Sequence, residues 1–134
     1  MTLDNVKEWL YGCTHCGTCK DMLKIFLPSC PAGEHFQLES FFPSGQVFMA
    51  RGVSEGRLSL EDDDLRERVY SCTGCLSCEN VCGVYHHNHI FEIVRAMRSQ
   101  AVTDGYLNPG YMLMVEGLKR EDNVFGKPKS ERGD

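Results

Sequence analysis

Eight cysteines in 134 residues, gathered into two knots, constrain this chain more than any other feature. Cys72, Cys75, Cys78 and Cys82 fall within eleven residues of the run SCTGCLSCENVC. Cys13, Cys16 and Cys19 fall within CTHCGTC, and Cys30 follows just before Pro31. Any core this chain builds has to leave room for whatever these sulfurs hold. The length is one domain's worth, able to bury about two-thirds of the unfolded chain's surface.

The compartment narrows the uses of clustered thiols. The N-terminal run MTLDNVKEWLYG carries acidic residues and lacks an apolar stretch, so it reads as neither a secretory signal nor a transit peptide. No window approaches the roughly 18 apolar residues that a membrane-spanning helix needs. The expectation is a cytoplasmic chain with no direct membrane span, whose thiols stay reduced for metal or redox work. A formal charge of −5 without a basic stripe argues against nucleic acid as a partner.

Four uses of the thiols compete. Disulfides fit worst, because the compartment is reducing and cysteines three residues apart cannot staple distant segments. A thioredoxin-like pair needs a βαβ setting that the helical patterns do not supply. Structural zinc takes four thiolates as two C-x2-C pairs, which leaves the third cysteine of each C-x2-C-x2-C run surplus. Cubane iron–sulfur clusters use them all: three cysteines at this spacing wrap one face, and the fourth iron needs a ligand from elsewhere.

A helix beginning at Cys78 would carry Cys82 about 6 Å along its axis, away from the centre that Cys78 serves. That matches the exchanged ligation of bacterial two-cluster ferredoxins. The reading is therefore two 4Fe-4S clusters, one on Cys13, Cys16, Cys19 and Cys82, the other on Cys72, Cys75, Cys78 and Cys30. Cys30 departs from the ferredoxin pattern, since ten residues separate it from Cys19 where three are usual. Pro28 and Pro31 oppose a continuous helix there, so Lys20 to Ser29 is expected to leave as an amphipathic excursion and return. Gly83 follows Cys82 where proline is common.

Gly17, Gly74, Thr14, Thr18, Thr73 and Ser77 lie between the thiols, small enough for backbone N–H groups to approach cluster sulfurs. The run Tyr85-His86-His87-Asn88-His89 invites a metal reading, but histidines just before a helix more often cap or solvate its start. His15 reads as a neighbour of the first site that could couple a proton to its charge. Met97, Met112 and Met114 read as core filler, and Arg51 as a surface or packing arginine.

The rest of the chain reads as all-α. Val6, Trp9 and Leu10 sit at helical spacing, and Ser44 is expected to cap a short helix over 46–51. Glu61 to Tyr70 has acids first and arginines later, with Leu65 and Val69 on one face. Its acidic start lacks calcium-loop spacing. Ile90, Val94, Met97 and Ala101 mark an amphipathic helix, and Asn108-Pro109 opens another carrying Met112, Val115 and Leu118. Residues 1–118 are expected to form the domain and 119–134 a polar linker or tail. The cysteine knots read as a repeat of ligands rather than of structure.

The order CTHCGTC, CP, PSG, a helix and then GRLSLEDDDLRERVYSCTGCLSCENVC resembles a known group over nearly the whole chain. It is the N-terminal dicluster domain of the iron–sulfur subunits of heterodisulfide reductases, glycolate and lactate oxidases, and anaerobic glycerol-3-phosphate dehydrogenase. The resemblance implies an α-helical ferredoxin fold, and partners in the form of a catalytic subunit with cysteine-rich CCG domains and/or a flavoprotein. No CCG motif occurs here. No nucleophile, base or phosphate loop stands out as a catalytic constellation. The expectation is an electron-transfer module working between a flavin or ferredoxin donor and a catalytic partner. The alternative is a zinc-stabilised interaction module with no redox role.

Overall fold

The computed structural model describes residues 2–22, 27–82 and 88–133. Gly83 and the Tyr85-His86-His87 part of the histidine run lie outside the described residues. The chain divides into two compact units, Met1–Asp104 and Gly105–Asp134. Both are helical, and all eight cysteines belong to the first.

In the first unit a 3-10 turn, Leu3–Val6, leads into α1 (Lys7–Gly12). The excursion after Cys19 goes out and back as a minimal antiparallel pair, β1 (Asp21–Met22) with β2 (Leu27–Pro28). The Ser29 amide donates to the Lys20 carbonyl at 3.0 Å and its hydroxyl to the Cys19 carbonyl at 2.7 Å. The ten intervening residues are thus closed at their base, where Ser29 meets Cys19 and Lys20 just before Cys30. This pair is the one departure from helix among the described elements, and the prolines account for it.

Cys30 then caps α2 (Pro31–Phe36), with Pro31 at the first helical position. After a 3-10 turn at Glu39–Phe41 comes α3 (Pro43–Ser54). Its N-cap is Phe42, not Ser44, because Pro43 has no N–H to lose and takes the first helical position. Ser44 lies inside the helix, buried, and donates to Glu39 Oε1 at 2.8 Å. Gly45 beside it is required by contact: a Cβ there would lie 2.1 Å from the Glu39 carbonyl oxygen.

In α4 (Asp63–Ser71), Asp62 accepts from the Leu65 amide at 3.0 Å, a cap contributing about 1 kcal/mol. The one-turn helix α5 (Ser77–Asn80) starts a residue before Cys78 and ends short of Cys82. Helix α6 (Ile90–Thr103) buries Ile90, Ile93, Val94, Ala96, Met97 and Ala101. Helices α3 and α6 pack together, and α1 and α4 each lie against both. Val6, Leu10, Val47, Val69, Ile93, Val94 and Met97 are fully buried between them. Each contributes about 1.5–3 kcal/mol by leaving water.

The second unit holds α7 (Pro109–Glu121), capped as expected by Asn108, whose Oδ1 accepts from the Gly110 amide at 3.0 Å. Its expected apolar stripe is not a core, since Val115 and Leu118 are exposed and Met112 is half-buried; Met114, read as core filler, is exposed too. Only Gly117 is buried in that helix, against the turn at Asn123–Gly126 that folds back on it. The helix runs through Lys119, where the polar tail was expected to begin. Among the described residues no helix is long and apolar enough to cross a membrane.

Candidate metal centre

Helices α1 and α4 both end at a cysteine, and each releases a loop that curls around a cavity. The first cavity is lined by Cys13, Cys16, Cys19 and Cys82, together with His15, Ser44 and Asn88. The second is lined by Cys72, Cys75, Cys78 and Cys30, together with Gln46 and Phe91. Ile90, itself buried, lines both. Among the described residues no three His, Cys, Asp or Glu side chains are arranged to hold a single metal ion; the thiols ring two spaces instead.

The repetition extends well beyond the cysteines, correcting the expectation of a repeat of ligands alone. Leu10 and Val69, three residues before each first cysteine, are both fully buried. His15 and Gly17 have φ of 56° and 77°, and Gly74 and Leu76, at the same offsets in the second loop, have 69° and 62°. Two left-handed residues per loop turn the backbone inward around its cavity. For His15 and Leu76, which carry a Cβ, that conformation costs about 1–2 kcal/mol each, strain of the kind found at functional sites.

Each loop also has its own arginine. Arg51 of α3 donates to the Leu10 carbonyl at 2.5 Å and to the Cys13 carbonyl at 2.6 Å. Arg98 of α6 donates to the Val69 carbonyl at 2.9 Å and to the Cys72 carbonyl at 2.7 Å. The guanidinium carbons stand 5.4 Å from the Tyr11 ring centroid and 5.3 Å from that of Tyr70. These bonds satisfy carbonyls that the ends of α1 and α4 leave open, and charged donors make them stronger than neutral ones. Arg51 is therefore not a surface arginine. A sequence signal for the pair existed in the parallel runs LYGCTHCGTC and VYSCTGCLSC, each with tyrosine two residues before cysteine.

The thiols differ in surroundings. Cys16 and Cys75, the middle members of the two knots, are exposed, whereas Cys19 and Cys82 are buried. Thr18 lies 3.3 Å from Cys16 Sγ and draws that thiol down. Burial pushes Cys19 up to about 11, and burial together with the neighbouring Cys72 pushes Cys78 up to about 12. Burial also raises Cys30, against the Gly33 amide that donates to its sulfur at 3.4 Å. Iron or zinc would have to displace these protons, since the thiolate is the ligand.

Of the histidine run, Asn88 and His89 are described. His89 packs its ring on Trp9 at 4.6 Å and faces Glu79, whose Oε1 accepts from the Phe91 amide at 2.8 Å near the start of α6. Asn88, read in the sequence only as a member of the histidine run, lines the first cavity, and its side-chain amide has no partner among the described residues. The donor set is four soft thiols per cavity, which suits iron–sulfur clusters and gives hard cations nothing to bind.

Comparison with known proteins agrees with the chemistry. The chain is 25% identical over 89 residues, 66% of its length, to the probable iron-sulfur-binding oxidoreductase FadF of Bacillus subtilis (strain 168). It spans 12% of that relative's length. The family model described as the 4Fe-4S dicluster domain matches residues 8–85, more than half of the chain and all eight cysteines. With its helical ferredoxin-like fold and its cysteines ringing two cavities, the chain belongs to the 4Fe-4S dicluster domain family and binds iron–sulfur for electron transfer.

Proposed function

We propose that this chain carries two 4Fe-4S clusters, one on Cys13, Cys16, Cys19 and Cys82, the other on Cys72, Cys75, Cys78 and Cys30. It passes single electrons between a flavin or ferredoxin donor and a catalytic partner, in a reducing compartment such as the cytoplasm. The observation that carries this reading is the sorting of eight thiols into two cavities of four that share Ile90 as a wall. When bound, the clusters supply the one-electron chemistry; the chain supplies placement, burial and hydrogen bonds.

Cys16 and Cys75 bring one edge of each cavity to the surface, and the buried Ile90 lines both cavities. The exposed edges would serve electrons as entrance and exit, with an apolar side chain between the two sites. The relative's printed description as an oxidoreductase supports a catalytic partner, whether a subunit with CCG domains or a flavoprotein. Anaerobic purification followed by metal and acid-labile sulfide analysis tests the reading. About eight irons and eight sulfides per chain are expected. Zinc in a colourless protein would overturn it in favour of an interaction module.

A further inference from the structure

The two cavities are matched in their cysteines, their left-handed residues and their arginines, so the points where they differ carry information. Asn88 is one. It is 6% exposed, it lines the first cavity, and neither its Oδ1 nor its Nδ2 has a hydrogen-bond partner among the described residues. A buried amide left unpaired is costly, and such a group calls for something held in the site that satisfies it. Sulfide and thiolate sulfurs only accept, so the N–H2 end of the amide is the end they would engage.

The second cavity has an amide too, but it is spoken for. Gln46, 2% exposed, donates from Nε2 to the carbonyls of Arg68 at 2.7 Å and Ser40 at 3.3 Å. Its unpartnered atom is Oε1, which cannot donate. Hydrogen bonds to cluster sulfurs favour the reduced, more negative state and raise the potential.

We infer that Asn88 donates a hydrogen bond to the cluster ringed by Cys13, Cys16, Cys19 and Cys82, and that this cluster has the higher reduction potential of the two. The inference rests on the two-cluster reading. Electrons then settle first on the cluster of the first loop, and the cluster of the second loop feeds it. His15, which holds the place that Gly74 holds in the second loop, also lines the first cavity with a buried Nε2 that has no partner among the described residues; it stays in place in the variants below, so the shift they produce reads Asn88.

The test is a potentiometric titration of the anaerobically purified chain, followed by electron paramagnetic resonance. Cys16→Ser marks the signal of the first-loop cluster. Asn88→Leu, which keeps the volume and removes the donor, should shift that cluster's one-electron equilibrium about tenfold toward oxidation, about 59 mV, and leave the other step in place. Asn88→Asp, a closer isostere should Asn88→Leu fold poorly, should move it in the same direction. Two clusters with neither step shifted, or with the second-loop cluster at higher potential in the unmodified protein, would overturn the inference and leave the electron-transfer reading standing. Failure to find two clusters at all would overturn both.

Discussion

Arg98 holds the Cys72 carbonyl at 2.7 Å across 26 residues of sequence, as Arg51 holds that of Cys13 at 2.6 Å across 38. Each guanidinium ties the last turn of a helix to the first cysteine of a loop. The thiols that follow therefore start from a fixed point.

Removing either arginine should loosen one loop only. Arg98→Gln leaves the Val69 and Cys72 carbonyls without their charged donor and should cost about 1–3 kcal/mol. Guanidinium denaturation of the loaded protein reads the loss. The Arg51→Gln and Arg98→Gln effects should add in the double variant, since each serves a different loop. A double variant no weaker than either single one would contradict independent bracing.

Gly74 and Gly17 separate strain from crowding. Both have positive φ, but a Cβ at Gly74 would come within 2.9 Å of the Phe91 ring, whereas one at Gly17 meets nothing within 4 Å. Gly17→Ala should cost about 1–2 kcal/mol for the left-handed backbone. Gly74→Ala should cost more, because Phe91 must move as well. Equal losses in thermal or denaturant unfolding would mean that the ring yields freely.

Charge should govern encounter. Eight thiolates and two oxidised cores of +2 would take the formal charge from −5 to about −9. Stopped-flow oxidation of the reduced protein by a small cationic metal complex should slow as salt rises, and oxidation by an anionic one should quicken. Rates indifferent to salt with both reagents would speak against an electrostatically steered carrier.

Much of this was legible in the sequence for identifiable reasons. The thiol spacing, the caps at Asp62 and Asn108, and the apolar spacing of α6 are local signals, read within one or two turns of chain. Ser44 misled because a hydroxyl beside proline resembles a cap, while Pro43 had already taken the first helical position. Val115 and Leu118 misled because helical spacing shows which residues share a face and not whether anything covers it. Arg51 reads in the sequence only as a surface or packing arginine, Asn88 only within the histidine run and Arg98 not at all, because their roles exist only once the fold brings distant chain to the loops.

The exchange of fourth ligands is the point on which the rest turns. In partly reduced protein, Cys82→Ser should alter the same paramagnetic signal that Cys16→Ser alters, and Cys30→Ser the same signal that Cys75→Ser alters, because each pair lines one cavity. If Cys82→Ser instead perturbs the signal marked by Cys75→Ser, each loop keeps its own fourth cysteine and the crossed arrangement is wrong.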